Sequence, residues 1–190
     1  MTYNILITGV GGQGTVLASR LIAAAAMKRG MDVRTTETIG MAQRGGSVVS
    51  HTRIGDSIYS PLIPVGAAHI MIALEPSEAL RNLHYLSPKG LLVVCDIAIK
   101  SIADPDGAMY DADAVINYFK ANAHRTVVVN GKPLKEKSPK TLNVALLGAA
   151  AACGGFPFDS QALLDVISEM PRFAEMNKTA FTDGGGCIVG

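Results

Sequence analysis

Charge of either sign is scarce in this chain. Lys and Arg number 17 and Asp and Glu 16 in 190 residues, a net charge of +1, and only 17% of the residues are charged, against roughly 25% in ordinary soluble domains. No overall field draws such a protein to nucleic acid or to an anionic membrane. The low charge also predicts that another chain covers part of its surface. Cysteine is nearly as rare: Cys95, Cys153 and Cys187 are far apart and form no C-x-x-C pair. That spacing describes neither a disulfide framework nor a zinc or iron–sulfur site. Cys95 ends an apolar run and Cys153 sits among alanines, so both are expected to be buried fillers. The apolar segments are interrupted by residues such as Arg20 and Lys28, short of the ~20 residues that a membrane span needs. No basic, then apolar leader precedes the first strand. A reducing cytoplasm is the expected location. No nucleophile-elbow serine, Walker lysine or carboxylate pair is present either, so an obvious catalytic set is missing.

What the chain does have is a glycine turn near its start. A β-rich run from Asn4 breaks at Gly9-Val10-Gly11-Gly12-Gln13-Gly14 and passes directly into an apolar helical pattern over residues 15–29. Gly9, Gly11 and Gly14 have the G-x-G-x-x-G spacing of a strand-to-helix phosphate turn. Backbone N–H groups and the helix dipole both favour an anion there. The same glycines also suit close helix–sheet packing without any ligand.

Downstream, the pattern alternates. Strands are predicted over residues 32–37, 47–54, 69–74, 91–95 and 125–129, and helices over 76–83, 111–121, 142–152, 160–170 and 173–181. Gly30 closes the first helix, Ser77 is a candidate N-cap, and the strand at 32–37 is read as completing a βαβ unit. Residues 57–64 read as extended, with a hairpin plausible. Residues 132–140 read as a basic, proline-bearing loop and 184–186 as a glycine tail. Strands alternating with helices imply an α/β fold with a mainly parallel sheet and right-handed crossovers. No repeat or linker interrupts residues 1–190, which read as a single domain. Ligands in such folds sit beyond the carboxyl ends of the strands, where the glycine turn and the segment from Glu37 to Ser47 would meet.

Glu37, about twenty residues past the turn, stands where a dinucleotide fold places its ribose-binding acid, or is simply a surface carboxylate at a strand end. Gln43, Arg44, Gly45, Gly46 and Ser47 add a guanidinium fork, two flexible backbone positions and a hydroxyl, which are anion-binding groups. The alternatives are a salt bridge from Arg44, to Glu37 for example, and a bulge at Gly45-Gly46. His51 lies on an alternating strand and reads as a structural histidine. His69, His84 and His124 have no carboxylate or cysteine at ligand spacing, so no metal is expected. The candidate binding set is Gly9, Gly11, Gly12, Gln13, Gly14, Glu37, Gln43, Arg44, Gly45, Gly46 and Ser47.

Four segments in fixed order carry a family resemblance: Gly9 to Gly14, Glu37-Thr-Ile-Gly-Met-Ala-Gln-Arg-Gly-Gly-Ser-Val-Val-Ser-His51, Tyr59-Ser-Pro-Leu-Ile-Pro64 and Ala73-Leu-Glu-Pro-Ser-Glu-Ala-Leu80. With Asn143-Val-Ala-Leu-Leu-Gly148 they span nearly the whole chain, which resembles the gamma-type subunits of 2-oxoacid:ferredoxin oxidoreductases, the indolepyruvate enzymes above all. Residues 105–140 match less well, and Asn130-Gly131-Lys132 departs from the pattern. The resemblance implies a Rossmann-like three-layer fold. It implies that a larger partner subunit holds thiamine diphosphate and [4Fe-4S] clusters, decarboxylates an arylpyruvate and passes electrons to ferredoxin. No cofactor would be held tightly by this chain, coenzyme A would be a shared substrate, Gly11, Gly12, Gln13, Arg44, Gly45 and Ser47 would contact either the coenzyme or the partner chain, and the isolated subunit is a possible homodimer. Two rival readings stand beside it: a self-sufficient NAD-dependent dehydrogenase, and a nucleotide-sensing module.

Overall fold

The computed structural model describes residues 2–37, 45–99 and 110–189. Its strands are β1 (Tyr3–Val10), β2 (Val33–Glu37), β3 (Ser47–Ile54), β4 (Ala68–Ala73), β5 (Leu86–Cys95) and β6 (Arg125–Val129). The helices are α1 (Thr15–Lys28), α2 (Pro76–Asn82), α3 (Ala112–Asn122), α4 (Gly131–Lys137), α5 (Leu142–Ala152), α6 (Ser160–Ser168) and α7 (Ala174–Gly186). The six strands form one sheet in the order β2-β3-β1-β4-β5-β6. β1, β4, β5 and β6 are neighbours in parallel, and β3 runs antiparallel to both β1 and β2.

The expected α/β fold with a mainly parallel sheet is therefore present, with one change of topology. β2 does not pair with β1, because β3 lies between them, so β1, α1 and β2 do not form a βαβ unit of adjacent strands. β3 reads as half-polar yet occupies the interior of the sheet, because its polar groups find partners there. Thr52 shares a hydrogen bond of 3.2 Å with Ser19 of α1, and His51 Nδ1 accepts the Ile63 N–H at 3.3 Å.

Helices cover both faces. α1 and α4 to α7 pack on one side over Ile5, Ile7, Ile70, Ile72 and Val93, and α2 and α3 on the other over Leu6, Met71, Leu92 and Val94. Continuous apolar runs are what strands buried on two faces require. α5 is buried along its length from Leu142 to Ala150, which fits a helix enclosed between the sheet and α7 and explains its lack of a polar stripe.

Several local expectations change. Glu75, not Ser77, caps α2, its side chain accepting the Glu78 N–H at 2.9 Å. Residues 57–64 contain no strand. The predicted loop at 132–140 is α4 followed by a 3-10 turn (Pro139–Thr141), because Asn130 caps α4 and Leu134 is buried. α7 continues through the glycines at 184–186 instead of ending at 181. Cys95 is fully buried, whereas Cys153 is only half-buried. Among the described residues no helix is long and apolar enough to cross a membrane.

Candidate functional site

The glycine turn lies at the carboxyl end of β1 and opens α1, as its spacing predicts. Its glycines do different things. Gly9 is inside the sheet, where a Cβ would press on the Gln13 side chain and on Leu74. Gly14 has φ +83 and faces Asn143 so closely that a side chain could not fit; its carbonyl accepts Asn143 Nδ2 at 3.0 Å. Gly12 has φ +101 and open space around it, which is where a backbone can be approached by a ligand.

Gln13 turns inward. Its Oε1 accepts the Val10 N–H at 2.6 Å and its Nε2 donates to the Leu74 carbonyl at 3.0 Å, so the side chain ties the turn to the end of β4. The Gly11 N–H donates to the Gly46 carbonyl at 2.8 Å, joining the glycine turn to the entrance of β3. What remains is a shallow pocket of about 240 Å³ lined by Gly11, Gly12, Gly14, Thr15, Val16 and Val48. α1 has no side-chain N-cap and no acidic residue in its first turn, so its positive end faces this pocket uncompensated.

The second half of the predicted set is distributed unevenly. Gly45, with φ +89, and Gly46 adjoin the turn. Ser47 donates its hydroxyl proton to Glu78 Oε2 at 2.5 Å, leaving only its oxygen lone pairs for a ligand. Glu37 ends β2 and pairs with Ser50 of β3, two strand spacings, roughly 10 Å, from β1. That offset removes it from the place of a ribose-binding acid beside the turn. Gln43 and Arg44 lie outside the described residues.

A polar group within the Ala73–Leu80 motif, to which spacing alone gives no role, stands beside the turn. Glu75 is wholly buried at the end of β4. It accepts the Ser77 hydroxyl at 2.6 Å, the Ile99 N–H at 3.3 Å and the Tyr110 hydroxyl. Burial and this carboxylate push the Tyr110 phenol upward from its ordinary value. Glu78, also buried, meets Ser47 and Arg81. Buried carboxylates need such partners, and the only sequence signal was the Ala73–Leu80 motif itself. Burial raises the Cys95 thiol to about 12, which makes it inert as a nucleophile. His51 and His69 are lowered by burial. Among the described residues no three His, Cys, Asp or Glu side chains are grouped to hold a metal ion.

The geometry is thus a shallow pocket at the uncapped start of α1, with the buried carboxylates Glu75 and Glu78 turned inward beside it. A model of the pyruvate ferredoxin/flavodoxin oxidoreductase family matches residues 4–186. The chain belongs to that family. Within it, the chain is 40% identical to indolepyruvate oxidoreductase subunit IorB of Archaeoglobus fulgidus, over 97% of this chain and 94% of that one. It is 36% identical to the subunit of the same name from Pyrococcus horikoshii, over 96% and 94%. Among solved structures, the keto/oxoacid ferredoxin oxidoreductase gamma subunit of Geobacter sulfurreducens superposes with a TM-score of 0.68 at 26% identity, over 96% of this chain and 95% of that one. Pyruvate oxidoreductase subunit PORC of Thermotoga maritima shares the fold with a TM-score of 0.70 at 21% identity, over 99% and 97%.

Proposed function

We propose that this chain is the small, cofactor-free subunit of a cytoplasmic 2-oxoacid:ferredoxin oxidoreductase acting on indolepyruvate or a related arylpyruvate. In this reading the oxoacid and coenzyme A become acyl-CoA and carbon dioxide while ferredoxin is reduced. Thiamine diphosphate and [4Fe-4S] clusters on a larger partner subunit supply the decarboxylation and electron transfer. This chain contributes the wall that receives the coenzyme: Gly12, the N–H groups opening α1, and the segment from Gln43 to Ser47.

The observation that carries the reading is the uncapped, acid-free start of α1 beside a glycine open to solvent, in a chain related along nearly its whole length to IorB subunits. A fixed array of donors at a helix N-terminus suits the phosphates of a coenzyme. The dehydrogenase reading is weakened by the insertion of β3 between β1 and β2, which removes Glu37 from the turn.

The test is co-expression with the larger, thiamine- and iron–sulfur-bearing subunit that the reading requires. The reading expects a stable complex that reduces ferredoxin with indolepyruvate only when coenzyme A is present, and Arg44→Ala should raise the KM for coenzyme A more than it lowers kcat. Oxidation of a 2-oxoacid by this polypeptide alone, or no association with the larger chain, would refute it.

A further inference from the structure

A groove runs along α7 where it meets α4 and the 3-10 turn that follows. It is formed by a cavity of about 380 Å³ and a smaller one of about 200 Å³, which share the walls Lys137, Ser138, Thr141 and Met176. Leu17, Pro139, Met170, Phe173 and Met176 line the larger part, and Leu134 and Ala180 continue the apolar wall in the smaller. Phe173 and Met176 stay 62% and 45% exposed. An aromatic ring and an adaptable thioether left open to water around a groove are the side chains that interfaces use as anchors. Phe173 also holds φ +62 where it enters α7, a left-handed backbone that disfavours a bulky side chain. That strain gains little for the core, because most of the ring is in solvent.

Charge is unequal around the groove. Asp183 is the single acid among its lining residues, and Lys137 holds it at 2.5 Å. Lys140 on the wall and Arg172 next to Phe173 are exposed, and neither forms an ion pair among the described residues. The segment that builds one wall carries Lys132, Lys135, Lys137 and Lys140 against one acid, Glu136. The position of the groove points to what fills it. Leu17 lines it, while Thr15 and Val16, in the same first turn of α1, line the glycine-turn pocket. The function proposed above puts the reactive half of the site on the larger subunit. That subunit must therefore reach the glycine turn, and the groove opens beside the same turn of helix.

We propose that this groove is a docking site for the larger, thiamine-bearing subunit, filled by an apolar segment of that chain with carboxylates at its flanks. Phe173 and Met176 are the anchors, and Lys140 and Arg172 pair with the carboxylates. The proposal rests on the function proposed above. A basic-edged apolar groove complements such a segment, whereas a second copy of the same surface would set cation against cation.

The test is titration of the full chain with the purified larger subunit, followed by biolayer interferometry at low and high salt. Phe173→Gly should weaken the complex about thirtyfold, as for loss of a central aromatic anchor. The denaturation midpoint of the isolated variant should stay equal or rise, because glycine adopts the left-handed backbone without strain. Met176→Glu should weaken the complex as well, by placing a charge among apolar side chains. Lys140→Glu combined with Arg172→Glu should slow association about tenfold at low salt and much less at high salt. A complex that forms with wild-type affinity in both Phe173→Gly and Met176→Glu would overturn the proposal and leave the proposed function standing. So would an isolated chain that light scattering shows to be a dimer in the wild type and a monomer in Phe173→Gly, since a second copy would then fill the groove. No complex between the wild-type chains would remove the proposed function and this occupant with it.

Discussion

Gly148 of α5 lies directly against the backbone carbonyl of Phe181 on α7, and Gly184 of α7 lies in the same way against the carbonyl of Ala145. The two helices touch backbone to backbone, and any Cβ at either position would have to push main chain aside. Gly148→Ala is expected to cost about 3 kcal/mol or more, the upper range for overpacking, because neither neighbour is a movable side chain. Urea denaturation of the variant checks this; a midpoint equal to wild type would show that the helices can separate freely.

Gln13 spans the turn, holding the Val10 N–H and the Leu74 carbonyl at once. Gln13→Ala leaves both backbone groups without a partner, at an expected cost of about 1–3 kcal/mol. Under the proposed function, the same variant should raise the KM of the assembled enzyme for coenzyme A. Denaturation and steady-state kinetics separate the two effects, and an unchanged stability would mean that water replaces the amide.

Glu75 gathers the Tyr110 hydroxyl, the Ser77 hydroxyl and two backbone N–H groups in a buried site. Glu75→Ala should destabilise the fold by about 2–4 kcal/mol, since several donors lose their acceptor together. Glu75→Gln keeps an acceptor oxygen and should cost less. With the carboxylate gone, the Tyr110 phenol should titrate at lower pH, which an ultraviolet titration of tyrosinate reads directly.

His51 and His69 each accept a backbone N–H on Nδ1, from Ile63 at 3.3 Å and Asn4 at 3.0 Å. Both are therefore neutral in the fold, and burial lowers their folded values below 6.5. The unfolded chain then binds more protons between the folded values and about 6.5, so stability rises with pH across that window. Their contribution is complete above neutrality and is lost as pH falls below about 6.5. The Tm should drop between pH 7.5 and 5.5, and the double variant His51→Gln, His69→Gln should show a smaller drop. A wild-type Tm independent of pH over that range would contradict the assignment.

The strands at 69–74 and 91–95 were legible because strands covered on both faces carry almost unbroken apolar runs, as Ile70 to Leu74 and Leu91 to Cys95 do. The glycine turn was legible because spacing alone sets its backbone demands. Residues 132–140 read as a loop because Lys and Pro suggest one, while the features that make them helical, the Asn130 cap and the burial of Leu134, depend on neighbours. The glycines of α7 read as a tail for the same reason, yet they are helical. In isolation Gly184 weakens a helix; against Ala145 it is what lets α5 and α7 meet. Of the candidate site, Gly12, Gly45 and Gly46 adjoin the glycine turn, Gln13 and Gly9 pack within it, and Glu37 lies two strands away.

By itself the sequence determined the alternation of strands and helices, the glycine turn at the start of α1 and the shortage of surface charge, because periodicity, backbone freedom and composition are local properties. The tertiary structure alone decided that β3 inserts beside β1 and that Glu75 and Glu78 are buried beside the turn. Those facts depend on which distant segments pair and pack, and strand order and side-chain partners are fixed only when the chain closes on itself.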